Sequence, residues 1–153
     1  MSTRAKAAFV CYGVVILFLA AAGVLYVSSP EIMPYHQEAT GVAWAELGPR
    51  VQIMLLTFLK ADGIGMLAVA LAMTILLVIP FRRGERWARW TIPALGFAWL
   101  GPTLFIAFRL AGSTGAATPW PGLVIMIVLL ALGFLLSMSE EAQCGESDSS
   151  DLG

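Results

Sequence analysis

The sequence predicts an all-α membrane protein: four transmembrane helices in an antiparallel bundle, with a short, partly helical outer loop between helices 1 and 2. Three observations carry this. The 153-residue chain is 59% hydrophobic and only 12% charged, and its mean hydropathy of +0.83 lies far from the balance of a soluble domain. Its apolar residues collect in four runs, each close to the roughly 20 residues that a helix needs to cross about 30 Å of hydrocarbon. Its basic residues are segregated: of nine Lys and Arg, six lie in the amino-terminal tail (Arg4, Lys6) or in one hinge (Arg82, Arg83, Arg86, Arg89).

The first span is read over residues 7–27. It follows Arg4 and Lys6, but its length exceeds the roughly 7–15 apolar residues of a cleaved leader, so a retained helix is expected. Residues 28–48 form the outer loop. Ser29-Pro30-Glu31 has the form of a helix start, Pro34 disfavours helix at Met33, and a second short turn over Thr40 to Leu47 brings Trp44 and Leu47 to one face. Gly48-Pro49 opens the second span, taken as 51–79. From Pro49 to Ile79 a helix is about 46 Å long, so its first third, which holds Arg50, Gln52, Lys60 and Asp62, stands beyond the hydrocarbon or tilts.

Pro80 to Trp90 is the basic hinge, four arginines beside two tryptophans, where the chain turns back. The third span is read over 91–110, with a bend expected at Gly101-Pro102. Gly112 to Pro119 is a loop by composition, and the fourth span covers 121–138. Residues 139–153 are acidic and serine-rich, hence expected to be a disordered tail. Basic loops stay in the cytoplasm, which places both termini there in a multi-pass cytoplasmic-membrane protein. Cys11 and Cys144 then lie toward the reducing side and are expected as free thiols.

Counting along the hairpin places the polar residues. Asp62 precedes Pro80 by eighteen residues and Arg109 follows Trp90 by nineteen, so both lie about 27–28 Å from the hinge. The expectation is a structural pair, Asp62 with Arg109. Such a pair either latches the hairpin or floors a cavity roofed by the outer loop. The candidate ligand-binding set is therefore Tyr35, His36, Glu38, Glu46, Lys60, Asp62 and Arg109. Lys60, two residues and roughly 200° round from Asp62, points to the opposite side. Gly63 and Gly65 let another helix or a ligand come close, and Met66, Val69 and Met73 continue the Asp62 face.

No metal and no cofactor are expected, because one histidine beside one glutamate is not a ligand set. No catalytic residue is assigned: the sequence contains no Ser-His-Asp set, phosphate loop, dinucleotide fingerprint or paired-cysteine motif. The charge pattern gives no sign of nucleic acid. The partners it admits are membrane lipids, a lipid or quinone as ligand, and a membrane protein or a second copy of this chain. The order Pro34-Tyr35-His36, Gly48-Pro49 and Ile79-Pro80-Phe81-Arg82-Arg83-Gly84-Glu85-Arg86-Trp87-Ala88-Arg89 resembles small four-span bacterial membrane proteins, loosely the DoxX-like group. That resemblance implies a bacterial cytoplasmic membrane and an accessory role, and it supplies no functional residue.

Overall fold

The computed structural model describes residues 2–150, with side chains described for 2–139. Its helices are α1 (Thr3–Ser28), α2 (Pro34–Thr40), α3 (Pro49–Leu76), α4 (Arg86–Thr114) and α5 (Trp120–Ser150). A 3₁₀ turn at Trp44–Glu46 lies between α2 and α3, and a π turn at Leu77–Phe81 extends α3. Four stretches are long and apolar enough to cross a membrane: Thr3–Ser28, Pro49–Phe81, Arg86–Thr114 and Trp120–Ser139. Among the described residues there is no strand, so this is an all-α protein of four spans.

Bilayer thickness explains the helix lengths, and local signals explain their ends. Ser2 Oγ accepts from the Ala5 amide and caps α1. The loop helix begins at Pro34 and not at Ser29-Pro30, which corrects the expectation of a start at Pro30. A helix begun at Pro30 would put the Pro34 ring against the Pro30 carbonyl and force Met33 into a conformation its neighbour disfavours. Met33 is instead extended at φ −61°, ψ 151°, and Ser29 Oγ donates to the Glu31 carbonyl. Pro80 lacks an amide, and α3 widens into the π turn there; Gly84, at φ +77°, takes the left-handed position that reverses the chain. Helix α4 runs unbroken through Pro93 and Pro102. Helix α5 continues past Met138 to Ser150; the tail expectation for 139–153 falls mainly on residues whose side chains, or whole placement from 151, lie outside the described part.

The surface confirms the solvent. Leu17, Phe58, Leu71, Phe105, Ile106 and Leu135 are each more than 60% exposed, a density of bare apolar side chains that suits acyl chains and not water. Trp87 and Trp90 stand exposed at one end of the bundle, here the hinge end, and Trp120 at the other, the loop end. Arg89 and Arg4 donate to the Ser137 and Ser139 carbonyls, tying the hinge end to α5 where its apolar run stops.

Packing is uneven. Helix α1 is central, pressed between α3 and α5, while α3 and α4, neighbours in sequence, touch only lightly. A Cβ on Gly63 would fall 2.8 Å from the Tyr26 Cβ and 2.9 Å from the Gly23 carbonyl oxygen; one on Gly23 would meet the Gly63 oxygen at 2.9 Å. The α1 and α3 backbones are in contact. Between α3 and α4, by contrast, the space beside Gly65 is taken by the Trp99 ring. The core runs from Ala8, Phe81 and Ala88 at the hinge end to Leu19, Ala70, Leu100 and Leu123, and stops there.

Gly63→Ala is expected to lower stability in detergent by about 1–3 kcal/mol, because the Gly23 oxygen is backbone and the Tyr26 Cβ is fixed to backbone, so neither can move aside. Gly13→Ala on α1, with open space around it, is the control and should be neutral or better. Equal melting temperatures for the two variants would show that α1 and α3 are not in backbone contact.

Candidate functional site

Where the core ends, a cavity begins. It holds about 480 Å³ and is walled by all four spans and α2. Tyr26 comes from α1, Asp62 and Met66 from α3, Thr103, Ala107 and Leu110 from α4, and Leu123 from α5, with Tyr35 and His36 of α2 as the roof. A second space of about 400 Å³ lies between α2, α3 and α4, along Leu55, Phe58 and Leu59. The two share His36, Asp62 and Leu110, so these three side chains form the neck between a chamber in the bundle and a groove at its side. The groove lies where α3 and α4 pack least.

The roof is fixed by polar contacts that spare the neck. Glu38 accepts from the Ala117 amide at 2.9 Å, fastening α2 to the α4–α5 loop. Gln37 accepts from the Trp44 amide, and Gln52 donates to the Trp44 carbonyl at 2.8 Å, fastening the 3₁₀ turn to α3. Thr118 donates to the Ala107 carbonyl and is buried. Ile32 and Met33 are buried beneath the roof.

Inside, the Tyr26 and Tyr35 hydroxyls hydrogen-bond to each other. The His36 ring lies 4.1 Å from the Tyr35 ring, tilted, and meets Tyr26 edge-on at 6.5 Å. Asp62 lines the same chamber as both phenols. Among the described residues, neither the Asp62 carboxylate nor the His36 imidazole has a hydrogen-bond or ion-pair partner. Burial pushes the His36 imidazole below its ordinary pKa, so the ring is neutral at pH 7. Burial first, then the hydrogen bond with Tyr26, hold the Tyr35 phenol far above its ordinary value.

The expected pair between Asp62 and Arg109 is not formed. Asp62 shares a wall with Leu110, so the two helices are level there, but Arg109 is one residue and about 100° round on α4. It faces outward, exposed, among Phe105, Ile106 and Ser113. Of the candidate set, Tyr35, His36 and Asp62 come together. Glu38 is a fastener of the roof, and Glu46, Lys60 and Arg109 are exposed and line neither space. Tyr26 completes the cluster and was not in the sequence-derived set: at the end of an apolar run it reads as an interfacial aromatic. No group of three His, Cys, Asp or Glu among the described residues could hold a metal. Cys11 is a free, half-buried thiol; the Cys144 side chain lies outside the described part.

Comparison with family models, curated proteins and solved structures gives no match. The fold and cavity therefore define a class, a multi-pass membrane protein with an internal chamber at one end, and nothing narrower.

Because the folded pKa of His36 lies below the unfolded value of about 6.5, the stability tied to its neutral ring is complete above that pH and is lost as pH falls through the folded pKa. The melting temperature in detergent should drop as pH falls from about 7 to about 5, and drop less for His36→Gln. Asp62, Tyr26 and Tyr35 are present in both proteins, so the difference reports the imidazole. Identical pH profiles would exclude a desolvated, neutral His36.

Proposed function

We propose that this protein binds a small amphipathic molecule, a lipid or quinone, which enters sideways from the membrane through the groove between α3 and α4. The observation that carries this is the chamber itself: apolar walls from four spans around two unpartnered polar side chains, His36 and Asp62, at the neck. Few precisely placed polar groups in a mainly apolar concavity are the usual makeup of a small-molecule site. Among the described residues nothing hydrogen-bonds to His36, so no partner orients it as a general base, and binding fits the geometry better than catalysis. The arginine distribution supports both termini in the cytoplasm and the chamber in the opposite leaflet. The loose DoxX-like resemblance accords with a bacterial cytoplasmic membrane.

A second reading, an accessory subunit docking a membrane partner or another copy, draws on the first turns of α3. Val51, Ile53, Met54 and Phe58 are exposed there, on the part of the helix nearest the loop.

Mass spectrometry of protein extracted in a mild detergent decides between them. A bound amphiphile near one per chain is expected, and Ala107→Phe, which fills the chamber, should reduce it severalfold while the protein still elutes as a single species. Equal occupancy in the two proteins would contradict binding in the chamber. Absence of any amphiphile, with a protein partner present instead, would favour the second reading.

A further inference from the structure

The charge balance of the chamber narrows the ligand. Of the residues lining the chamber and the groove, only Tyr26, Tyr35, His36 and Asp62 can ionise. The two phenols are hydrogen-bonded to each other, and the half-buried imidazole, its pKa pushed down by desolvation, is neutral at pH 7. That leaves Asp62 as the one charge-bearing group on the wall. Neither Lys60, near it in sequence, nor Arg109, level with it on α4, lines these spaces: Lys60 lies roughly 200° round α3, and Arg109 faces the outer surface of α4. Asp62 is itself exposed, open to the two spaces it lines and with no protein cation against it among the described residues, so a ligand there can supply its counter-charge.

The aromatic rings point the same way. Tyr26 and Tyr35 line the chamber and pack on His36, which stands with Asp62 at the neck, and the negative faces of phenol rings attract an organic cation at short range. A carboxylate beside clustered aromatic rings suits an ammonium. It offers little to an anion, and a neutral ligand would leave the charge uncompensated. Beyond the neck, Phe18, Leu25, Met66 and Leu123 supply a soft apolar wall for the rest of the molecule. We infer that the polar end of the ligand is an organic cation, an amine or quaternary ammonium held between the Asp62 carboxylate and the Tyr26–Tyr35–His36 rings, with its apolar body in the chamber. This rests on the binding function proposed above and narrows it, excluding a quinone. The cation is supplied either by the headgroup of an aminolipid or by a free hydrophobic amine.

Two probes of one shape and opposite charge test it: tetraphenylphosphonium and tetraphenylborate, measured by equilibrium dialysis against the full chain in a non-ionic detergent at about pH 8, where carboxylates are ionised. Saturable binding of the phosphonium, at least about tenfold tighter than the borate after correction for empty micelles, is expected; Asp62→Asn should remove that preference. Equal or tighter borate binding would overturn the cation assignment while leaving the chamber a binding site. Failure of both probes, together with no amphiphile in the extracted protein, would overturn the chamber as well. The wild-type comparison stands even if Asp62→Asn misfolds. Adding phosphatidylethanolamine to the micelles separates the sources: competition with the phosphonium assigns the cation to a lipid headgroup, and unchanged binding assigns it to a free amine.

Discussion

The backbone contact between Gly23 and Gly63 is the constraint on which the rest of the structure depends. Lipid offers helices little hydrophobic incentive to associate, so close approach and dispersion must hold them, and only residues without side chains allow backbones to touch. With α3 pressed onto α1 at this point, and α1 also packed against α5 where Gly133 admits the Tyr12 ring, three of the four spans form a tight group. Helix α4 completes the bundle from the α5 side. Its contact with α3 is left to side chains, chiefly Trp99 lying over Gly65.

The same contact sets the chemistry of the chamber. Gly63 faces α1, so Asp62, one residue back and about 100° round, turns toward the gap beside α4. On the other helix, Tyr26 packs its Cβ on Gly63 and so stands next to Asp62. A pair of small residues chosen for packing thereby brings a carboxylate and a phenol to the same level. The roof adds Tyr35 and His36, and the Glu38 bond to the α4–α5 loop holds them there. At the hinge end Ala8, Met73, Phe81, Ala88 and Ile92 fill the interior; the polar groups there are the buried Tyr12 and Ser137 side chains, and a separate space of about 290 Å³ lies among Ser2, Arg82, Arg83 and Arg89.

Much of the fold was legible because a bilayer simplifies the rules. Runs of uncharged residues long enough to span gave the four helices, and Arg82, Arg83, Gly84 and the tryptophans gave the turn. Counting at a fixed rise placed Asp62 level with the far part of α4. Rotation was not legible in the same way. An error of one residue turns a side chain by about 100°, and uniformly apolar helices carry too little asymmetry to show which face is inside. Hence Arg109 was expected opposite Asp62 and its neighbour Leu110 is found there. Sequence order also misleads about adjacency: α3 and α4 form a hairpin, yet α3 packs chiefly on α1, a preference visible only as Gly23 and Gly63 once both helices are aligned. In the loop, Pro34 was read only as a restriction on Met33, and the helix in fact starts at Pro34 with Met33 extended before it.

Inside the bundle the packed core reaches Leu100 and the chamber begins at Thr103, so the boundary between solid and hollow falls within one turn of α4. In a background with Cys11 and Cys144 replaced by serine, Leu100→Cys and Thr103→Cys sit on either side of that boundary, the first fully buried and the second on the chamber wall. A small methanethiosulfonate reagent should modify Thr103→Cys readily and leave Leu100→Cys untouched. Equal inertness at both positions would mean that the interior is solid and would contradict the account.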